Sequence, residues 1–175
     1  ELDDTEHLFR PGMNVADLGS APGSWTQIVR ERLTDKNGEL KGRIIAMDIL
    51  PMEPIDGVTF LQGDFREQEV ADKLNEILGG DKLDVVISDM APNLSGIAMV
   101  DANASLLLNE LALDFAVEHL KPEGVFVTKA FQGSGYSQFI ENCKKHFVSV
   151  AQRKPEASRN SSAEMYVVAR RLKNK

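Results

Sequence analysis

With 175 residues, 42% of them hydrophobic and 27% charged, the chain is long enough to bury a core and too apolar for a tail or linker. A single cysteine, Cys143, excludes an internal disulfide. With His7, His119 and His146 it offers no zinc spacing, so a reducing, cytoplasmic setting and no metal are expected. No apolar run approaches the roughly 20 residues of a membrane span, and a formal net charge of −7 argues against a strongly basic nucleic-acid binder. The chain opens at Glu1 with neither an initiator Met nor a signal-peptide pattern, so the expectation is that a longer protein begins upstream.

In chain order, strand-type apolar runs are predicted at 14–19, 43–49, 58–62, 84–90, 124–131, 147–152 and 164–169. Helical spacing is predicted at 24–33, 67–78, 102–120 and 136–146. It is clearest in 102–120, where Leu106, Leu107, Leu111, Leu113, Phe115, Ala116 and Leu120 are read as one face. Strands alternating with helices imply parallel strands joined by crossovers, and the continuous run Val85-Val86-Ile87 suits a sheet covered on both faces. The prediction is a doubly wound α/β domain over 1–175, with helices on both faces. Between the last two strands lie Pro155, three Ser and no helical period, so that link is read as a long hairpin and the last strand as antiparallel.

The first strand ends in Asp17-Leu18-Gly19-Ser20-Ala21-Pro22-Gly23-Ser24-Trp25. In open α/β sheets ligands bind beyond the carboxyl ends of the strands, and small residues let backbone N–H groups approach them. The turn is neither G-x-G-x-x-G nor a Walker A loop, so a diphosphate is not expected. Acidic residues close the following strands as well. Asp48 is placed to accept from ribose hydroxyls, Asp64 from an exocyclic amine, and Asp89 ends the fourth strand. An isolated Asp more often caps a helix or makes a turn, but carboxylates at successive strand ends, Asp17 included, converge on one crevice. A ligand with a ribose, an adenine-like base and a positive charge fits, and S-adenosylmethionine has all three.

Together with that turn, Leu61-Gln62-Gly63-Asp64-Phe65, Ser88-Asp89-Met90-Ala91-Pro92-Asn93-Leu94-Ser95-Gly96 and Val127-Thr128-Lys129-Ala130-Phe131-Gln132-Gly133 resemble the FtsJ family of ribosomal RNA 2′-O-ribose methyltransferases. The similarity runs from Phe9 to Val168. It implies a Rossmann-like, S-adenosylmethionine-dependent methyltransferase with seven mostly parallel strands, the last antiparallel. Cofactor contacts then fall on Gly23, Trp25, Asp48, Asp64 and Asp89. The implied substrate is a uridine in the A-loop of 23S rRNA within the 50S subunit, and the implied enzyme is monomeric. Of the family's Lys-Asp-Lys-Glu tetrad, Asp89, Lys129 and Glu164 have counterparts. The other lysine, with a basic segment, belongs before Glu1.

Lys129 also stands out by itself, because it interrupts an apolar strand where an unpaired ammonium is costly to bury. Its expected role is to accept or steer the ribose proton, with Asp89 and Glu164 holding the amine; a structural Lys–carboxylate bridge is the plainer reading. The candidate RNA contacts are Arg153, Lys154 and Arg159 in the hairpin, Arg170, Arg171, Lys173 and Lys175 at the end, and Lys144 and Lys145 on the preceding helix. A tRNA or mRNA-cap 2′-O-methyltransferase, and a non-catalytic RNA-binding assembly factor, stay open as alternatives. A nicotinamide enzyme is disfavoured by the absent G-x-G-x-x-G. Base methylation is disfavoured because Asp89-Met90-Ala91-Pro92 supplies neither an Asn/Asp-Pro-Pro-Tyr loop nor a nucleophilic Cys.

Overall fold

The structure is a computed structural model that describes residues 7–20, 23–64, 67–90, 97–154 and 164–173. Ala21, Pro22, Phe65, the stretch after Pro92, Arg159 with the rest of the hairpin from Pro155, and Lys175 lie outside the described residues. The elements in order are β1 (Asn14–Leu18), α1 (Ser24–Leu33), β2 (Arg43–Asp48), β3 (Thr59–Gln62), α2 (Gln68–Leu78), β4 (Leu83–Ser88), α3 (Ala98–His119), β5 (Leu120–Phe131), α4 (Tyr136–His146), β6 (Phe147–Arg153) and β7 (Glu164–Leu172). They form the expected α/β fold with a seven-stranded mixed sheet. Among the described residues, no helix is long and apolar enough to cross a membrane.

The chain divides into two compact units, Glu1–Ile87 and Ser88–Lys175. In the first, the order is β3-β2-β1-β4. β1 and β2 pair in parallel with Leu18 beside Met47, and β2 and β3 in parallel with Asp48 beside Gln62, so their carboxyl ends lie level. Val15, Ala16 and Leu18, then Ile44, Ile45, Ala46 and Met47, are at most 1% exposed. Burying each larger side chain contributes roughly 1.5–3 kcal/mol, and the continuous apolar runs are the reason these segments are interior strands. Asn14 N–H donates to Asp84 Oδ2 at 2.7 Å, tying the start of β1 to β4.

In the second unit the order is β5-β7-β6, and β7 runs antiparallel to both neighbours, as predicted for the last strand. Three boundaries differ from expectation by three or more residues: α3 begins at Ala98 rather than 102, β5 begins at Leu120 rather than 124, and β7 runs to Leu172 rather than 169. Pro122 falls in the added stretch of β5, and proline is tolerated near a strand's first residues, where its missing N–H costs no ladder bond. Leu107 is also corrected. It is 56% exposed, whereas Asn109, Ala112, Leu113 and Ala116 are buried. At about 100° per residue Leu107 falls opposite that stripe.

Candidate active site

The first unit builds its candidate residues around the turn after β1. Asp17 is fully buried and accepts from the Thr26 hydroxyl at 2.7 Å through Oδ2, which braces β1 against α1. The Gly19 and Ser20 N–H groups donate to Met47 O at 2.8 and 3.1 Å, holding the turn against the end of β2. Gly23 precedes α1 with φ 117°, a left-handed conformation. A Cβ there would lie 3.1 Å from Ile55 Cδ1 and 3.4 Å from Met52 Sδ, so the segment after Asp48 closes over a position that only glycine occupies without strain.

Asp48, half-buried, accepts from Leu50 N–H at 3.0 Å. The Gly63 N–H donates to the Asp48 carbonyl at 2.8 Å, which draws the ends of β2 and β3 together and sets Asp64 just beyond them. Asp64 is half-buried, and its carbonyl accepts from Glu67 N–H at 2.9 Å at the entry to α2. Trp25 is half-buried and meets the Phe9 ring edge-on, with centroids 6.3 Å apart. The structure therefore gathers Gly23, Asp48 and Asp64 at neighbouring strand ends and sets Trp25 on the first turn of α1. A separate cleft of about 670 Å³ lies along α1, lined by Gln27, Arg30, Glu31, Thr34, Asp35, Ile55 and Asp56. It contains none of the predicted site residues, and Arg30 bridges it to the Asp56 carbonyl at 2.6 Å.

For a nucleoside cofactor the donor set fits. Ser20 Oγ is buried and has no hydrogen-bond partner among the described residues, at the same turn where Gly23 keeps the backbone bare. A polar ligand atom would satisfy that hydroxyl, whose burial is otherwise unfavourable.

The second unit carries an ionic cluster. Lys129 Nζ lies 2.6 Å from Asp89 Oδ1 and 3.9 Å from Glu164 Oε2, and the three side chains are 18%, 23% and 23% exposed. Asp89 directly follows β4, Lys129 is near the end of β5, and Glu164 opens β7. The antiparallel register explains how residues 35 positions apart in sequence meet. Phe131 stands opposite Glu164 and Lys129 opposite Tyr166, and because opposed residues share a sheet face, all four project from the same side. Thr128 points the other way, fully buried, with its hydroxyl 3.3 Å from Asn109 Oδ1 of α3. Partial burial strengthens the ion pairs relative to surface ones, where water would screen them. Two carboxylates around one ammonium also leave acceptor capacity beside the amine.

Phe131 and Tyr166 were given no role by the sequence. Phe131 is 40% exposed, with Lys129 Nζ 6.0 Å from its ring centroid. A large aromatic left open two residues from a half-buried lysine was the available signal, but alternation alone does not say which strand end meets solvent. Cys143 lies fully buried on α4. Burial, and then the Glu110 carboxylate, push its thiol up to about 12, so it stays protonated and is no nucleophile near neutrality.

A family profile described as FtsJ-like methyltransferase matches residues 1–172. A Bordetella petrii protein named Ribosomal RNA large subunit methyltransferase E is 55% identical over 174 residues, covering 99% of this chain and 82% of that protein. Its Bordetella pertussis namesake is 54% identical over 173 residues, with the same coverage. The crystal structure of a protein described as a ribosomal RNA methyltransferase from Plasmodium falciparum superposes with a TM-score of 0.86 at 30% identity, covering 99% of this chain and 94% of that one. Human methyltransferase-like protein 13, solved with SAH, shares the fold alone, with a TM-score of 0.64 at 17% identity over 91% of this chain and 72% of that one. With the profile spanning nearly every residue and relatives above half identity, the chain belongs to the FtsJ-like methyltransferase family.

Proposed function

We propose that this methyltransferase moves the methyl group of S-adenosylmethionine to a ribose 2′-hydroxyl of 23S rRNA, at a uridine of the A-loop in the 50S subunit. Residues 1–175 act as one methyltransferase domain, as a monomer in the cytoplasm. The observation that carries the reading is Lys129 Nζ held 2.6 Å from Asp89 and 3.9 Å from Glu164 at the end of the buried stretch of β5. The names of the relatives support the rRNA substrate.

In this reading Gly23, Trp25, Asp48 and Asp64 hold the cofactor, together with Asp89. The cofactor supplies an already activated methyl group, so the protein's main contribution is orientation: two reactants held in line need no further activation of the carbon. The hydroxyl still has to lose its proton, and general-base help is worth roughly 10²–10⁴-fold. Lys129 accepts or steers that proton. Asp89 fixes the amine directly, and Glu164 biases it from farther away while leaving it movable. Arg153, opposite Tyr166 at the end of β6, and Lys154 after it lie near the start of β7 and receive RNA phosphates.

The test offers labelled S-adenosylmethionine separately to 50S subunits, protein-free 23S rRNA and tRNA, followed by nuclease mapping of the labelled nucleotide. Label on a ribose of 23S rRNA is expected. Label on a base, or on tRNA alone, overturns the proposal.

A further inference from the structure

We infer that the end of the second unit opposite Glu164, where α4 passes into β6 and β7 finishes, is a second contact surface for the phosphate backbone of the RNA, remote from the reacting ribose. This rests on the RNA reading above and adds to it a place and a partner chemistry.

In sequence, Lys144, Lys145 and His146 are separated from Arg171 and Lys173 by the whole β6–β7 hairpin. The fold joins them. Phe147 pairs with Leu172, and the Lys173 N–H donates to the His146 carbonyl at 2.8 Å, so both basic runs sit at one corner. All five side chains are exposed. Lys144 shares its charge with Glu141 at 3.7 Å, whereas Lys145, Arg171 and Lys173 make no ion pair among the described residues. The last turn of a helix attracts cations to its negative dipole end. That accounts for the three residues on α4 but not for Arg171 on β7 or Lys173 just past its end.

Arg171 carries a second sign. Its φ is 62°, in the left-handed region that few residues other than glycine adopt, and the β6–β7 ladder registers Arg170 and Leu172 but not Arg171 between them. The strand breaks its pleat at an arginine that stays in water.

β7 runs from Glu164 at the ionic cluster to this corner, and at about 3.3 Å per residue the two lie roughly 25 Å apart. The basic residues thus form two groups. Arg153 and Lys154 are at the Glu164 end, and the α4/β7 group is at the other. In a chain with net charge −7, cations gathered at a distant corner suit a polyanion large enough to touch both ends of β7, as a structured ribosomal RNA is and a short hairpin is not.

The experiment compares the wild type with the triple variant Lys145→Gln/Arg171→Asn/Lys173→Gln, in which Asn tolerates the left-handed backbone. With 50S subunits or protein-free 23S rRNA, KM should rise on the order of tenfold, and the slope of log affinity against log salt should flatten by about two to three, at unchanged kcat. With a hairpin of a few base pairs around the target nucleotide, both parameters should match wild type. An unchanged KM and salt slope on the large RNAs overturns the inference. So does an equal loss on the short hairpin, which would place the effect at the active site or in the fold. A loss confined to 50S subunits would assign the corner to a ribosomal protein instead. If wild type methylates none of these RNAs, the RNA reading itself fails, and that outcome is separate from the others.

Discussion

The two units solve their tasks with different parts of the polypeptide. In the first, the candidate cofactor residues depend on backbone shape: Gly23 in a left-handed turn, two N–H groups bonded to Met47, and Asp17 spent on Thr26. Even Asp48 gives one oxygen to Leu50 N–H. In the second, Lys129 and Glu164 project from one face of an antiparallel pair to meet Asp89 after β4, while Thr128, on the opposite face, is buried. Substitution in the first unit should therefore cost binding and stability together. Substitution of a half-buried side chain in the second should remove chemistry and leave the fold.

The largest effect expected from that contrast is at Lys129. Lys129→Ala should lower the rate of methyl transfer by roughly 10²–10⁴-fold, while cofactor affinity by calorimetry stays at the wild-type level. Lys129→Arg sharpens the comparison, because guanidinium keeps the charge between Asp89 and Glu164 but does not give up a proton. If the residue only bridges two carboxylates, Arg restores activity. If it handles the ribose proton, Arg is nearly as poor as Ala. Near-normal transfer by the Ala variant would remove Lys129 from the chemistry.

Gly23→Ala should have a smaller and differently distributed effect. A positive φ of 117° and contacts of 3.1 and 3.4 Å to Ile55 and Met52 add strain on the order of 1–2 kcal/mol. Thermal unfolding should shift down by several degrees, with cofactor affinity falling alongside. Adding Ile55→Ala separates the two causes: it relieves the contact but not the dihedral, so most of the loss should persist. Full recovery in the double variant would mean that crowding, not backbone conformation, makes glycine necessary there.

What the sequence disclosed follows the same division. Continuous apolar runs such as Val85-Val86-Ile87 announced buried strands, and a lysine inside Val127–Phe131 announced a group needing partners, because both signals are local. Which partner sits where is not local. Glu164 reaches Lys129 only because β7 pairs antiparallel with β5 in a register that sets Phe131 against Glu164; a slip of one residue would send it to the other face. The same blindness hid the partner of Asp17, whose buried bond to Thr26 cannot be read from its place at a strand end. It also merged two basic groups that β7 holds at opposite ends.

The smallest expected effect concerns Cys143, which tests that the interior of the second unit is reserved for packing. It lies with Phe139 and Ile140 on the buried side of α4, and its thiol is raised from 9.0 to about 12 by burial first and the Glu110 carboxylate second. An acid whose native pKa is raised keeps its proton longer folded than unfolded. Its contribution is therefore complete below about pH 9 and is lost as pH climbs from there toward 12, on the order of 1 kcal/mol per pH unit. Denaturant melts across that range should show wild type losing stability more steeply than Cys143→Ala, although the variant starts lower because it leaves a small void. Parallel curves would mean that the thiol ionises as readily folded as unfolded. Cys143 would then have to be reconsidered as a reactive group, and base methylation through a cysteine with it.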